Sequence, residues 1–295
     1  MKIGKLGVWA LTNEFTAPDA AAFAQRVEAW GYSTLWTPEA IGRCALVGSS
    51  WMLANTSRLQ LATGICNVYA RDAYAALNAQ YGLAEQSGGR FLLGLGVSHA
   101  PLVEGLRGHV MQKPIPTMKA YLEAMAAHEY KSPPPPEKPK TILAALGPKM
   151  LELARTHADG AHPYNVSPVH TAMAREILGP GKWLCPEQKV VLETDPARAR
   201  AIGRRTLGFS LHLPNYRNNF LRMGFTEDDL AGNGSDRWVD SLVAWGDEDA
   251  IRRRIQEHWD AGADHVCIQS LARGEKLGLT RDDEKIFELL APGQD

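Results

Sequence analysis

The sequence predicts an α/β fold, a single (β/α)8 barrel. Three observations predict it. Short apolar runs recur eight times, at about 5–10, 33–37, 59–65, 91–96, 140–145, 160–164, 189–193 and 265–270, and most are followed by a helical pattern. A length of 295 residues is ordinary for one closed α/β barrel, so one domain over 1–295 is expected. The stretch 58–101, RLQLATGICNVYARDAYAALNAQYGLAEQSGGRFLLGLGVSHAP, reads as strand, loop, amphipathic helix, strand. A doubly wound open sheet is the alternative. It is expected to carry a glycine-rich turn after its first strand, and LTNEFTAPD contains none.

The elements follow in order. After the first strand, Thr16 and Asp19 have capping-box spacing around Pro18. Phe23, Val27 and Trp30 then fall on one helical stripe, and Gly31 suits a left-handed stop. The helix after the third strand carries Tyr74, Leu77, Tyr81 and Ala84 and stops at Gly88-Gly89. The proline-rich segment 132–139 delays the fifth strand as an extended connector. The next helix begins at Pro148 and ends before Gly160. The last pattern starts near Asp247, buries Ile251 and Ile255, and ends at Gly262. Residues 203–246 exceed what one crossover needs. An insertion beside the last strands of a barrel covers the ligand face, so it is read as a partial lid.

Composition narrows the function classes. Hydrophobic residues make up 45%, enough for a large core, yet no apolar run approaches the ~20 residues a membrane span needs. The N-terminus lacks a signal pattern, so a cytoplasmic protein is expected. A net charge of −1 with interspersed signs argues against a nucleic-acid surface. Arg252-Arg253-Arg254 reads as a solvated helix face. The four cysteines form no CxxC pair and lack histidines at metal spacing, so no metal site is expected; Cys66, at a strand end, is the one to watch.

In a parallel barrel, ligands meet the carboxyl ends of the strands. Gly64, Ile65 and Asn67 stand at the third end, and Gly96 and Val97 lead to His99 at the fourth. A glycine there permits a bulge or the close approach of a flat ligand, and Asn67 can hydrogen-bond such a ligand. His99 titrates near neutrality and is a candidate proton carrier. Glu39 is a second, or else an ion-pair partner of Arg43. His162 either touches a ligand or caps its loop. Ala145, Leu146, Gly147, Pro148 and Lys149 make a strand–turn–helix junction whose free amides suit an anion. The candidate donors are the amides of Leu146, Gly147, Lys149 and Met150.

These residues carry a family likeness. The blocks LWTPEAIGR, LATGICNVYARD, GRFLLGLGVSHAPLVEGLRG, ILAALGPKMLELARTHADGAHPY and LVAWGDEDAIRRRIQEHWDAGADHVCIQ resemble, in order and spacing, the bacterial luciferase-like superfamily. The resemblance is to its branch of oxidoreductases that use the deazaflavin coenzyme F420. It implies a barrel that binds a flavin-like ring across the strand ends, with a non-prolyl cis peptide at Gly64–Ile65 and a phosphate site at the Leu146-Gly147 turn. In relatives a carboxylate in the fourth-strand loop donates a proton and a histidine follows the second strand. The matching positions here are His99 and Ala40. The implied chemistry is hydride transfer with a small-to-medium organic substrate in a pocket lined by Trp9, Trp36 and the aromatics near Tyr216. His99 handles the proton and Glu39 orients the substrate or shares that proton. The rivals are an FMN-dependent monooxygenase and a non-catalytic cofactor-binding protein. A phosphosugar lyase or isomerase is expected to show a strand-end lysine, which no predicted strand has. Relatives of this kind are often dimers, and the helix at 72–87 is a candidate interface.

Overall fold

Local signals set the first βα unit. The Thr16 side chain accepts from the Asp19 amide and the Asp19 carboxylate accepts from the Thr16 amide, closing the capping box. Gly31 then turns the chain at φ 87°. The computed structural model describes residues 1–271, 279 and 281–292. Along the chain run β1 (Leu6–Trp9), α1 (Ala17–Ala29), β2 (Thr34–Thr37), α2 (Ala45–Ala54), β3 (Gln60–Thr63) and β4 (Cys66–Asn67). Then come α3 (Ala73–Gln86), β5 (Phe91–Gly96), a π-helical turn (Pro101–Leu106), α4 (Pro114–Ala127), β6 (Thr141–Leu143) and α5 (Pro148–His157). These are followed by β7 (Gly160–Ala161), α6 (Pro168–Leu178), β8 (Trp183–Leu184), β9 (Glu187–Leu192), α7 (Pro196–Leu211) and α8 (Pro214–Arg222). The chain finishes with α9 (Asp236–Leu242), β10 (Val243–Gly246), α10 (Glu248–Asp260), β11 (Val266–Ser270) and α11 (Arg281–Leu289).

The strands pair in parallel in the order β10-β9-β11-β1-β2-β3-β5-β6-β7-β8, with β4 added to β5. The sheet curls into a half-barrel. Only Cys185 and Pro186 separate β8, on β7, from β9, on β11. The Leu184 carbonyl accepts from the amides of Asp264, at 2.9 Å, and His265, at 3.4 Å.

Side chains alternate across this wall. Val8, Leu35, Leu61, Leu93 and Ile268 face the helices and join the main core with Phe23 and Phe287. Trp9, Trp36, Leu92, Ile142, Cys185 and Cys267 face inward and form a separate cluster. A third cluster, with Leu207, Phe220, Trp238 and Val239, belongs to the insertion and its neighbours. Burying each such side chain stabilises the fold by about 1.5–3 kcal/mol.

Three expectations change. The strand read at 59–65 is two strands, because the chain bulges between Thr63 and Cys66. The strand read at 160–164 pairs only over Gly160–Ala161. The stretch 203–246 holds the end of α7, then α8, α9 and β10, and β10 adds a parallel strand on β9 that the sequence reading lacks. Tyr74, carried by the helix after the third strand, is 49% exposed. The arginine run lies on α10, where Arg252 and Arg254 pair with Glu248 and Glu257 at the surface.

Candidate active site

The bulge after β3 is the centre of the strand-end face. The Gly64–Ile65 peptide is cis. The Gly64 amide donates to the Thr37 carbonyl and the Ile65 carbonyl accepts from the Glu39 amide, both at 3.0 Å. Trp9 Nε1 donates to the Gly64 carbonyl at 3.1 Å. A Cβ on Gly64 would stand 2.8 Å from Trp9 Nε1 and 3.0 Å from His162 Nε2. Gly94 and Gly96 clear the other side. A Cβ on Gly94 would lie 2.0 Å from the Thr63 carbonyl, and one on Gly96 3.3 Å from the Ala144 Cβ. The bulge therefore sits against β5, the strand that leads to His99.

Glu39 backs the bulge rather than projecting from it. Its carboxylate takes both terminal nitrogens of Arg71, one of them at 2.9 Å, and the Asn67 amide at 3.0 Å. The partner is Arg71, not Arg43, whose guanidinium donates to the Phe15 carbonyl. Asn67 is buried, and its side-chain oxygen accepts from the Tyr69 amide at 2.9 Å. Cys66 is fully buried, and burial, then the Glu39 charge, pushes its thiol up to about 12, so it is no nucleophile.

His162 lies under the bulge, stacked on Trp36 with ring centres 4.4 Å apart. Its Nδ1 donates to the Cys185 carbonyl at 2.7 Å, which leaves Nε2 as a bare acceptor. Burial lowers its pKa to about 4, so the ring is neutral near pH 7. At 1% exposure it acts on the bulge from below. His99 and Val97 are half-buried at the mouth, with Ser98 between them at φ 61°. Burial lowers the His99 pKa, opposed by a hydrogen bond with Asn215.

Asn215 stands on the first turn of α8, and that helix ties the mouth together. Tyr216 packs on His99, ring centres 5.5 Å apart, and on Tyr164, 6.5 Å apart. Arg222 ends the same helix, and its guanidinium stands 3.5 Å from where a Cβ on Gly147 would be. Gly147 caps α5, and Pro148 takes the first helical position. The Gly147 carbonyl accepts from the Met150 amide, so the candidate donors reduce to Leu146, Gly147 and Lys149. The buried His170 Nε2 donates to the Leu146 carbonyl at 2.8 Å and fixes the turn from behind. Ala145 is buried at its base, and Lys149 is exposed beside it. A helix N-terminus beside a guanidinium favours an anion twice over.

The geometry can hold a flat ring against a bulge and an anionic tail at a helix end. A family model described as luciferase-like monooxygenase matches residues 3–178. The chain belongs to the luciferase-like monooxygenase family. A Mycobacterium tuberculosis protein, Rv3520c, whose name describes a coenzyme F420-dependent oxidoreductase, is 27% identical over 340 residues that cover 94% of this chain and 97% of that one. The solved F420-dependent tetrahydromethanopterin reductase of Methanopyrus kandleri superposes with a TM-score of 0.77 at 16% identity, over 99% and 98% of the two chains. An FMN complex of a Pseudomonas putida type II Baeyer-Villiger monooxygenase superposes with a TM-score of 0.67 at 12% identity, over 99% and 97%. At these identities the two structures share a fold with this member of the luciferase-like family.

Sequence reasoning missed Arg71, Arg222, Tyr164, Glu187 and Lys189. The last two carry charge on a strand and face inward only because the sheet curls. No group of three or more potential metal ligands occurs among the described residues, and no helix there is long and apolar enough to cross a membrane.

Proposed function

We propose that this chain is an F420-dependent oxidoreductase that transfers a hydride between the deazaflavin and a small-to-medium organic substrate. One observation carries the reading: the backed bulge at Gly64–Ile65 and an anion-favouring turn at Gly147 lie on one strand-end face, spanned by α8. The residues present fit the coenzyme. The clearances at Gly94 and Gly96 keep the wall behind the bulge open for Ile65, and the Gly147 turn, with Arg222, supplies donors and charge for a phosphate. When bound, the deazaflavin supplies a two-electron hydride carrier.

The residues divide the work. Leu146, Gly147 and Lys149 amides and Arg222 bind the phosphate; Gly64, Ile65, Gly96 and Val97 form the wall behind the ring. Asn67 and Glu39 hold that wall in register, and Arg71 locks Glu39, so Glu39 is a positioning residue. His162 supports Gly64 from beneath. His99 is the proton carrier: its lowered pKa keeps it neutral at pH 7, able to take a proton at a ring nitrogen. The stretch 203–246 acts as a lid, because α8 touches both His99 and the phosphate turn and so excludes water. The chain works as one domain.

An anaerobic titration with coenzyme F420 and, separately, FMN tests this. Tight F420 binding with no oxygen consumption is the expected result. A yellow FMN complex that consumes oxygen would replace the reading with a monooxygenase.

A further inference from the structure

Beyond His99, the mouth holds a second polar group that the chemistry above leaves unused. Glu187 and Lys189 both project inward from β9, each 1% exposed, with Lys189 Nζ 3.0 Å from Glu187 Oε2. Lys189 Nζ also lies 3.7 Å from the centre of the Tyr164 ring, and the Tyr164 hydroxyl donates to Gln269 Oε1 at 2.8 Å. This fixes the ammonium and the ring as one unit under Tyr216, the residue that packs on His99.

The acceptors of this unit are not matched. Glu187 Oε1 is buried and has no hydrogen-bond partner among the described residues, and neither has Asn165 Oδ1. The two residues are neighbours, since the Asn165 amide donates to Glu187 Oε2 at 3.4 Å. Asn165 holds φ 57°, a left-handed conformation that asparagine tolerates better than most residues. Buried polar atoms are nearly always hydrogen-bonded, so two adjacent bare acceptors mark a place where a donor belongs. Neither a carboxylate nor a phosphate meets that need, because each brings only acceptors and negative charge.

We propose that Glu187, Asn165 and Lys189 form a substrate subsite for a neutral hydroxyl group. The hydroxyl hydrogen meets the bare acceptors and its oxygen accepts from Lys189, so one group satisfies both sides. The subsite rests on the oxidoreductase reading for its purpose, since it places a substrate hydroxyl next to Tyr164, whose ring leads through Tyr216 to His99. It selects against anionic substrates, and against ketones of the same shape.

Cyclohexanol and cyclohexanone are matched probes that differ in the donor. Their dissociation constants are measured by ligand-observed NMR on the full chain, with F420 affinity measured on the same samples by fluorescence. The wild type is expected to prefer the alcohol by roughly tenfold. Glu187→Gln puts an amide nitrogen in place of Oε1 and is expected to erase that preference or reverse it. Asn165→Gly keeps the left-handed backbone, removes one acceptor and is expected to weaken the alcohol alone; it serves if Glu187→Gln does not fold. Equal affinity of the two probes in the wild type, or a preference unchanged in the folded variants, overturns the subsite and assigns the acceptors to ordered water. F420 binding without the alcohol preference sinks this subsite alone. The preference without F420 binding sinks the oxidoreductase reading alone.

Discussion

Ile65 occupies the space that a side chain on Gly96 would need: a Cβ there would stand 2.6 Å from Ile65 Cδ1. The bulge and the fourth-strand loop are therefore fitted as one surface. Gly96→Ala is expected to displace Ile65, lower the unfolding free energy by about 1–3 kcal/mol in urea titrations, and weaken F420 binding. Gly94→Ala meets backbone, the Thr63 carbonyl, and is expected to cost more than Gly96→Ala. Equal stability of both variants and the wild type would show that the wall is not tightly fitted.

Arg222 and the α5 N-terminus are expected to act on the same phosphate. Arg222→Ala should weaken F420 binding by about tenfold or more and reduce its salt dependence. Binding of the phosphate-free deazaflavin analogue should be unchanged. An equal loss for both ligands would move Arg222 out of the phosphate site.

His99 and Glu39 are separable by experiment. His99→Ala is expected to slow turnover by about 10²–10⁴ while leaving F420 affinity intact. Glu39→Gln keeps one contact to Arg71 but removes the charge, and is expected to cost about 2 kcal/mol of stability. If Glu39→Gln folds with wild-type stability and is the slower enzyme, the two roles are exchanged.

Acid should destabilise the fold through its buried imidazoles. Burial lowers the pKa of His162 and of His265 from 6.5 to about 4. The unfolded chain takes up these protons near pH 6.5, and the folded chain does so only near 4. Stability is thus fully present above pH 6.5 and falls as pH drops through that window, by roughly 3 kcal/mol per imidazole. Chemical unfolding at pH 7, 5.5 and 4.5 reads this directly; a flat profile would contradict it.

What the sequence disclosed was mostly local. The Thr16 capping box, the Pro148 helix start and the Gly31 and Gly262 stops are written within a few residues, and each stands where expected. The Gly147 turn was legible for the same reason. The rest depends on partners far along the chain. β8 is two residues long and exists through its pairing with β7. Glu39 meets Arg71 32 residues away, while the nearer Arg43 had the more obvious spacing. Glu187 and Lys189 look like solvent-facing strand positions until the curl of the sheet turns them inward. Arg222 reaches Gly147 across 75 positions of sequence because α8 folds back over the mouth.

The apolar cluster of Leu207, Phe220, Trp238 and Val239 also takes in Val191 of β9 and Val243 of β10. The helices of 203–246 are thus bolted to the sheet through shared oily contacts. A change in those helices is felt by two strands, so segment and sheet are constrained to change together.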